Sequence, residues 1–282
     1  MISTLAYSIS CYALNPNFFS SVVDRQDLSV LAACLPVLFG VLGLQALHEA
    51  AHYFVAKRSG IKVGLPIPLP SFQVGTFGAI TPLRSFPANR TVLLDFALSG
   101  PLAGLLASMG LMVGGVFATV YASSEALLGF PVVPVALLKG SYFVGSLLSL
   151  LAPKTMILPA SQPIPIHPLF MIGFAGVITN ALNVLPIGRL DGGRAYTAVF
   201  GSRSASVATL LTLILMVLLS LSGMSNLSIF WGMMVVLFQR RPEIPVRNEV
   251  TEVDDSRLFL FLSTLLLAIL VLTPFPGGQG ML

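Results

Sequence analysis

His48, Glu49 and His52 place two imidazoles and one carboxylate within five residues, in the stretch "GLQALHEAAHYF". On a helix, residues four apart share a face, so His48 and His52 can present their rings to one point. Zinc accepts such nitrogens at about 2.0–2.1 Å and favours a tetrahedral set. Glu49 is rotated from His48 by about 100°, from where its carboxylate reaches a metal-bound water without ligating the metal. The pattern H-E-x-x-H thus supplies two ligands and a general base.

A catalytic zinc site usually takes three protein ligands and one water. Two candidates for the third stand out. Asp191 adjoins a second long apolar segment, and Gly192 and Gly193 after it let backbone pass close to a metal. His167 is the one remaining histidine. It lies at the opposite end of its apolar segment from Asp191, so the two do not easily share a depth with His48. Asp191 is preferred, with His167 as the alternative. More ordinary roles are a helix-terminal acid for Asp191, a cap for His167 and, for the nearby Asn183, an interhelical hydrogen bond.

These groups matter because of where they sit. The chain has 282 residues, of which 55% are hydrophobic and 9% charged. Soluble domains carry roughly a quarter charged residues, and the mean hydropathy here is +0.91. This composition points to an integral membrane protein. A charged group at the bilayer centre costs about 2.5–3.5 kcal/mol on insertion scales, so Glu49 on an apolar helix marks function. The net charge of +4 fits loop residues that orient helices, and no nucleic-acid partner is inferred. Cys11 and Cys34 make neither a disulfide framework nor a cysteine zinc site.

The elements that must position the site follow from apolar run lengths, since a span needs about 20 residues. Leu28 to Leu47 is uncharged, and its helix is expected to run through His52 to Arg58 and stop at Gly60. Residues 62–82 contain Pro66, Pro68 and Pro70 and then "FQVGTFGAIT", which reads as a short β-like hairpin at the membrane edge. Phe96 to Ser124 forms the next span, with Asp95 at its N-terminus and a stripe of Gly100, Ala103, Gly104 and Ala107 that permits close helix packing. Residues 125–153, broken by Pro131, Pro134 and Lys139, suggest an interfacial or re-entrant segment. Further spans are expected over Ile166–Gly188, twice within residues 204–239 with a break at Ser222–Asn226, and over Leu258–Leu272. The expectation is an all-α polytopic membrane protein with about six transmembrane helices. Residues 1–27 read as a short N-terminal tail without a clear secretory or transit signal, and residues 28–282 as one domain.

Taken in order, "HEAAH", "GTFGAIT", "LSGPLAG" and "NVLPIGRLDGGRA" resemble the site-2 proteases, the zinc intramembrane metallopeptidases. The likeness runs from about residue 40 to the C-terminus. It is greatest to the plastid and cyanobacterial branch, which includes the plant ethylene-dependent gravitropism-deficient and yellow-green proteins. The resemblance implies a zinc ion held by His48, His52 and Asp191, with Glu49 as catalytic base. It implies that Asn183 stabilises the developing oxyanion, and that Gly75, Thr76, Phe77 and Gly78 lie in a substrate-binding membrane loop. It further implies membrane-protein substrates cleaved within the lipid bilayer, and a multi-pass location in a plastid membrane (thylakoid or envelope) or a cyanobacterial membrane. Two rivals use the same groups. A metal transporter would need polar sites spread along a path, whereas here they gather at one place. An inactive homologue serving as a scaffold would not need the intact ligands and base.

Overall fold

A computed structural model describes residues 1–221, 226–238 and 243–276 of the chain. The helices are α1 (Ile2–Ser10), α2 (Pro16–Val23), α3 (Leu35–Arg58), α4 (Arg90–Val120), α5 (Ser124–Leu127), α6 (Val135–Lys139), α7 (Tyr142–Leu151), α8 (Pro153–Met156), α9 (Pro168–Val184), α10 (Asp191–Leu221), α11 (Asn226–Phe238) and α12 (Asp255–Leu272). A 3-10 helix, Leu28–Cys34, leads into α3. Two antiparallel ladders complete the fold: β1 (Ile67–Ser71) with β2 (Gly75–Ile80), and β3 (Val132–Pro134) with β4 (Pro163–Pro165).

Four helical stretches among the described residues are long and apolar enough to cross a membrane: Leu28–Arg58, Arg90–Val120, Asp191–Leu221 and Asp255–Leu272. The centre is held by a shorter one. Every residue of α9 from Phe170 to Val184 is buried, as expected of a helix that is apolar on all sides and surrounded by protein. His167 caps α9, its Nδ1 accepting from the Leu169 amide at 3.2 Å, and Pro168 occupies the first turn. Pro186 ends the helix by forcing Leu185 into an extended conformation. The α9 face meets α4 most extensively, and α3, α10 and α12 also pack on it.

Several sequence expectations recur in particulars. The 3-10 turn and α3 together cover Leu28 to Arg58, and Gly60 follows with φ +69°. The proline-rich segment forms the hairpin, with a bulge between Pro68 and Pro70. Other points differ. α4 begins at Arg90, six residues before the expected span, because the Asn89 side chain caps it by accepting from the Val92 amide. Asp95 lies one turn inside and pairs with Arg257 of α12 at 2.7 Å. α10 is two helical stretches meeting at Gly201, whose φ of +83° breaks the run. Residues 125–165 form short helices and the β3–β4 ladder. The expected break at Ser222–Asn226 falls largely outside the described residues. The N-terminal segment is packed rather than trailing: Tyr7 donates its hydroxyl to the Met171 carbonyl of α9 at 3.1 Å.

The α4–α9 contact depends on absent side chains. A Cβ on Gly173 would lie 2.4 Å from the Ser108 carbonyl oxygen and 2.5 Å from the Met112 nitrogen. Backbone atoms cannot yield as a flexible side chain can. Gly173→Ala is expected to destabilise the protein by about 1–3 kcal/mol. Gly43→Ala, which meets nothing within 4 Å, is expected to hold or raise the melting temperature of detergent-solubilised protein.

Candidate metal centre

α3 delivers both histidines to one spot. His48 Nε2 and His52 Nε2 are 3.0 Å apart, and the rings are edge-on to each other. Asp191, first residue of α10, reaches in from another segment: Oδ2 is 3.2 Å from His48 Nε2, and Oδ1 is 3.3 Å from His52 Nε2. All three side chains are buried. His167 stays at the far end of α9, where its ring packs edge-on against Phe130. Of the two candidate third ligands, the structure brings Asp191 beside the histidines and leaves His167 apart from them.

The outer nitrogens of the imidazoles decide what the inner ones can do. His48 Nδ1 lies 2.8 Å from Asn180 Oδ1, and the Asn180 amide is oriented by donating Nδ2–H to the Gly176 carbonyl at 2.8 Å. His52 Nδ1 lies 2.9 Å from the Phe96 carbonyl. Both contacts call for a proton on Nδ1, since the partner oxygens only accept. Each neutral ring then keeps a lone pair at Nε2. In that state two lone pairs and a carboxylate face one another. A cation satisfies all three at once. Zinc in a tetrahedral set of nitrogen and oxygen donors at about 2.0–2.2 Å places neighbouring donors about 3.3 Å apart, close to the three separations here. The donor set fits zinc. The Nδ1 contacts are of the kind that orient metal-bound histidines.

Room for this arrangement comes from α4. A Cβ on Gly100 would lie 2.3 Å from His52 Nε2 and 2.7 Å from His48 Nε2. Gly104, one turn on, clears the Asn180 amide in the same way. The small-residue stripe read from sequence thus has a local purpose at its first half.

Glu49 points beside the centre, not into it. Its Oε1 accepts from Gln45 Nε2 at 2.8 Å and its Oε2 from Thr81 Oγ1 at 2.6 Å. Two donors fix the carboxylate plane. Asn183 is nearly inaccessible, at 1% exposure, and both its side-chain Nδ2 and Oδ1 lack a hydrogen-bond partner. Its amide abuts β2, where a Cβ on Gly78 would lie 2.3 Å from Asn183 Nδ2. Gly75 and Gly78 have φ of +83° and +92°, which suits glycine alone. The Gly75 carbonyl already accepts from Ser3 and Thr4, and the Thr76 carbonyl from Thr179. The Phe77 ring is buried in the core. Sequence reasoning missed Gln45, Thr81, Phe96 and Asn180. Gln45 alone left a signal, being a polar residue one helical turn before Glu49.

A model of the family described as peptidase family M50 matches residues 36–222, a stretch that contains the whole cluster. The chain belongs to peptidase family M50. Relatives of this M50 chain include the Arabidopsis thaliana protein described as "Probable zinc metalloprotease EGY1, chloroplastic", 34% identical over 97% of this chain and 49% of its own length. The Arabidopsis thaliana protein described as "Probable zinc metalloprotease EGY2, chloroplastic" is 33% identical over 91% of this chain and 45% of its own. The M50 chain spans about half the length of the curated relatives it matches. It is also similar to a solved structure, the site-2 protease from Methanocaldococcus jannaschii, at 14% identity over 88% of this chain and 93% of that one, with a TM-score of 0.44.

Gly100→Ala is expected to push the two imidazoles apart. Metal analysis of the purified variant should show zinc per chain falling severalfold below wild type. Gly110→Ala on the same helix, which meets nothing within 4 Å, should retain it.

Proposed function

We propose that this chain is an intramembrane zinc metallopeptidase that hydrolyses peptide bonds in or beside transmembrane segments of membrane-protein substrates. The observation that carries the reading is the convergence of His48 Nε2, His52 Nε2 and the Asp191 carboxylate, with Glu49 one residue from a ligand and aimed elsewhere. In this reading His48, His52 and Asp191 hold the ion. Zinc at such a site supplies Lewis acidity, polarising a carbonyl and easing deprotonation of water near neutral pH.

The chain's own groups do the rest. Glu49 takes the proton from the attacking water and returns one to the departing amine. Gln45 and Thr81 keep its carboxylate in one plane while it does so. Asn183 Nδ2–H, without a partner of its own, donates to the carbonyl oxygen as negative charge grows there. A helical substrate hides its carbonyls in its own hydrogen bonds and must unwind first. The strand Gly75–Gly78 receives the unwound segment by main-chain pairing, and the hydroxyls now on the Gly75 and Thr76 carbonyls give way to it.

The spans number six in this reading: α3, α4, α9, the second stretch of α10, α11 and α12. Lys57 and Arg58 close α3, Arg90 opens α4 and Arg257 lies in the first turn of α12. The membrane is that of a plastid, thylakoid or envelope, or of a cyanobacterium.

Glu49→Gln should keep its zinc and lose cleavage of a membrane-embedded substrate by about 10²–10⁴-fold; undiminished proteolysis eliminates the mechanism. Zinc content should collapse in Asp191→Ala and persist in His167→Ala. Zinc uptake into vesicles carrying the protein, without proteolysis, would instead establish transport.

A further inference from the structure

Arg194 is the largest charged side chain in the interior, at 1% exposure, and the mechanism above gives it no task. It sits one turn after Asp191 on α10. Its Nε donates to Glu243 Oε2 at 2.5 Å. Its Nη2 donates to the Thr81 carbonyl at 2.8 Å. Its guanidinium sits over the Phe96 ring, with Cζ 5.6 Å from the ring centroid.

Two of those neighbours, Thr81 and Phe96, touch the active centre with their other ends. Thr81 uses its hydroxyl to hold Glu49 Oε2. Phe96 uses its carbonyl to hold His52 Nδ1, with Ser99 Oγ donating to the same oxygen at 2.8 Å. Asp191 shares a helix with Arg194 itself. From the helix that carries Asp191, one guanidinium therefore meets both the partner of the base and the partner of a ligand imidazole. A buried arginine suits this work because its planar fork fixes several partners in fixed relative directions, which a lysine cannot do. Glu243, in the extended segment before α12, neutralises it.

We propose that Arg194, anchored by Glu243, is a positioning residue that aligns the Glu49 carboxylate through Thr81 and steadies His52 through Phe96. The polar segment at Glu243 is thereby coupled to the chemistry of a site inside the bundle. The proposal rests on the reading of Glu49 as the base. Arg194 touches no substrate, so its loss affects turnover, not substrate capture.

The test is a double-mutant cycle on the full chain in detergent or proteoliposomes, with Arg194→Lys, Thr81→Val and the pair. Thr81→Val removes the hydroxyl on Glu49 and keeps the carbonyl that Arg194 uses. Arg194→Lys should lower kcat by about 10–100-fold, as small misplacements of catalytic groups do, with KM unchanged. Zinc per chain should match wild type. The double variant should fall no more than about twofold below the weaker single one, because both act on the same carboxylate. Multiplying effects, or a wild-type kcat in Arg194→Lys, overturns the proposal. If Arg194→Lys does not accumulate, Glu243→Gln replaces it in the same cycle with the same expected coupling. Glu49→Gln, assayed alongside, separates the two failures: an active Glu49→Gln overturns the base assignment, whereas an inactive Glu49→Gln beside a fully active Arg194→Lys overturns only the positioning role.

Discussion

Two imidazole lone pairs and a carboxylate face one another at 3.0–3.3 Å in the buried interior. An unpaired carboxylate costs much in a medium with no water, and one cation shared by the three side chains offsets that cost. Much of the surrounding architecture reads as the means of holding three donors where one cation serves all. Asn180 and the Phe96 carbonyl set the ring tautomers. Gly100 and Gly104 let α4 come close enough to press α3 against α9. Asp191 arrives because Pro186 ends α9 and the chain turns back at once into α10.

The central helix explains how a polar site survives in so oily a chain. α9 is enclosed on all sides and carries the neighbours Thr179 and Asn180 and, three to four residues on, Asn183, toward β2 and α3. Amides and hydroxyls there are shielded from lipid by the outer helices. The same enclosure leaves Asn183 without a partner, an expensive condition for a buried amide. In the proposed reaction that cost is offset when a carbonyl oxygen occupies the site. Preorganised donors of this kind act without reorganising as charge develops.

What the sequence disclosed was local. The i, i+4 histidines, the stop at Gly60 and the proline-marked hairpin follow from spacing and from backbone chemistry within a few residues. Asp191 could be preferred because few acids adjoin apolar segments. The supporting contacts were hidden because they join residues far apart in the chain: Asn180 to His48, Thr81 to Glu49, Arg194 to Thr81. An asparagine or threonine in an apolar helix looks the same whether it glues two helices or orients a ligand. The start of α4 was missed because Asn89, not Asp95, is the cap. α9 is shorter than the expected Ile166–Gly188 segment because Pro168 opens it and Pro186 closes it.

The direct measurement is zinc-edge X-ray absorption on the wild-type chain purified without chelators. The account predicts one zinc per chain, with two imidazole nitrogens and otherwise oxygen donors at about 2.0–2.2 Å. A chain that folds with no stoichiometric zinc, or a spectrum showing a sulfur neighbour at about 2.3 Å, would contradict it.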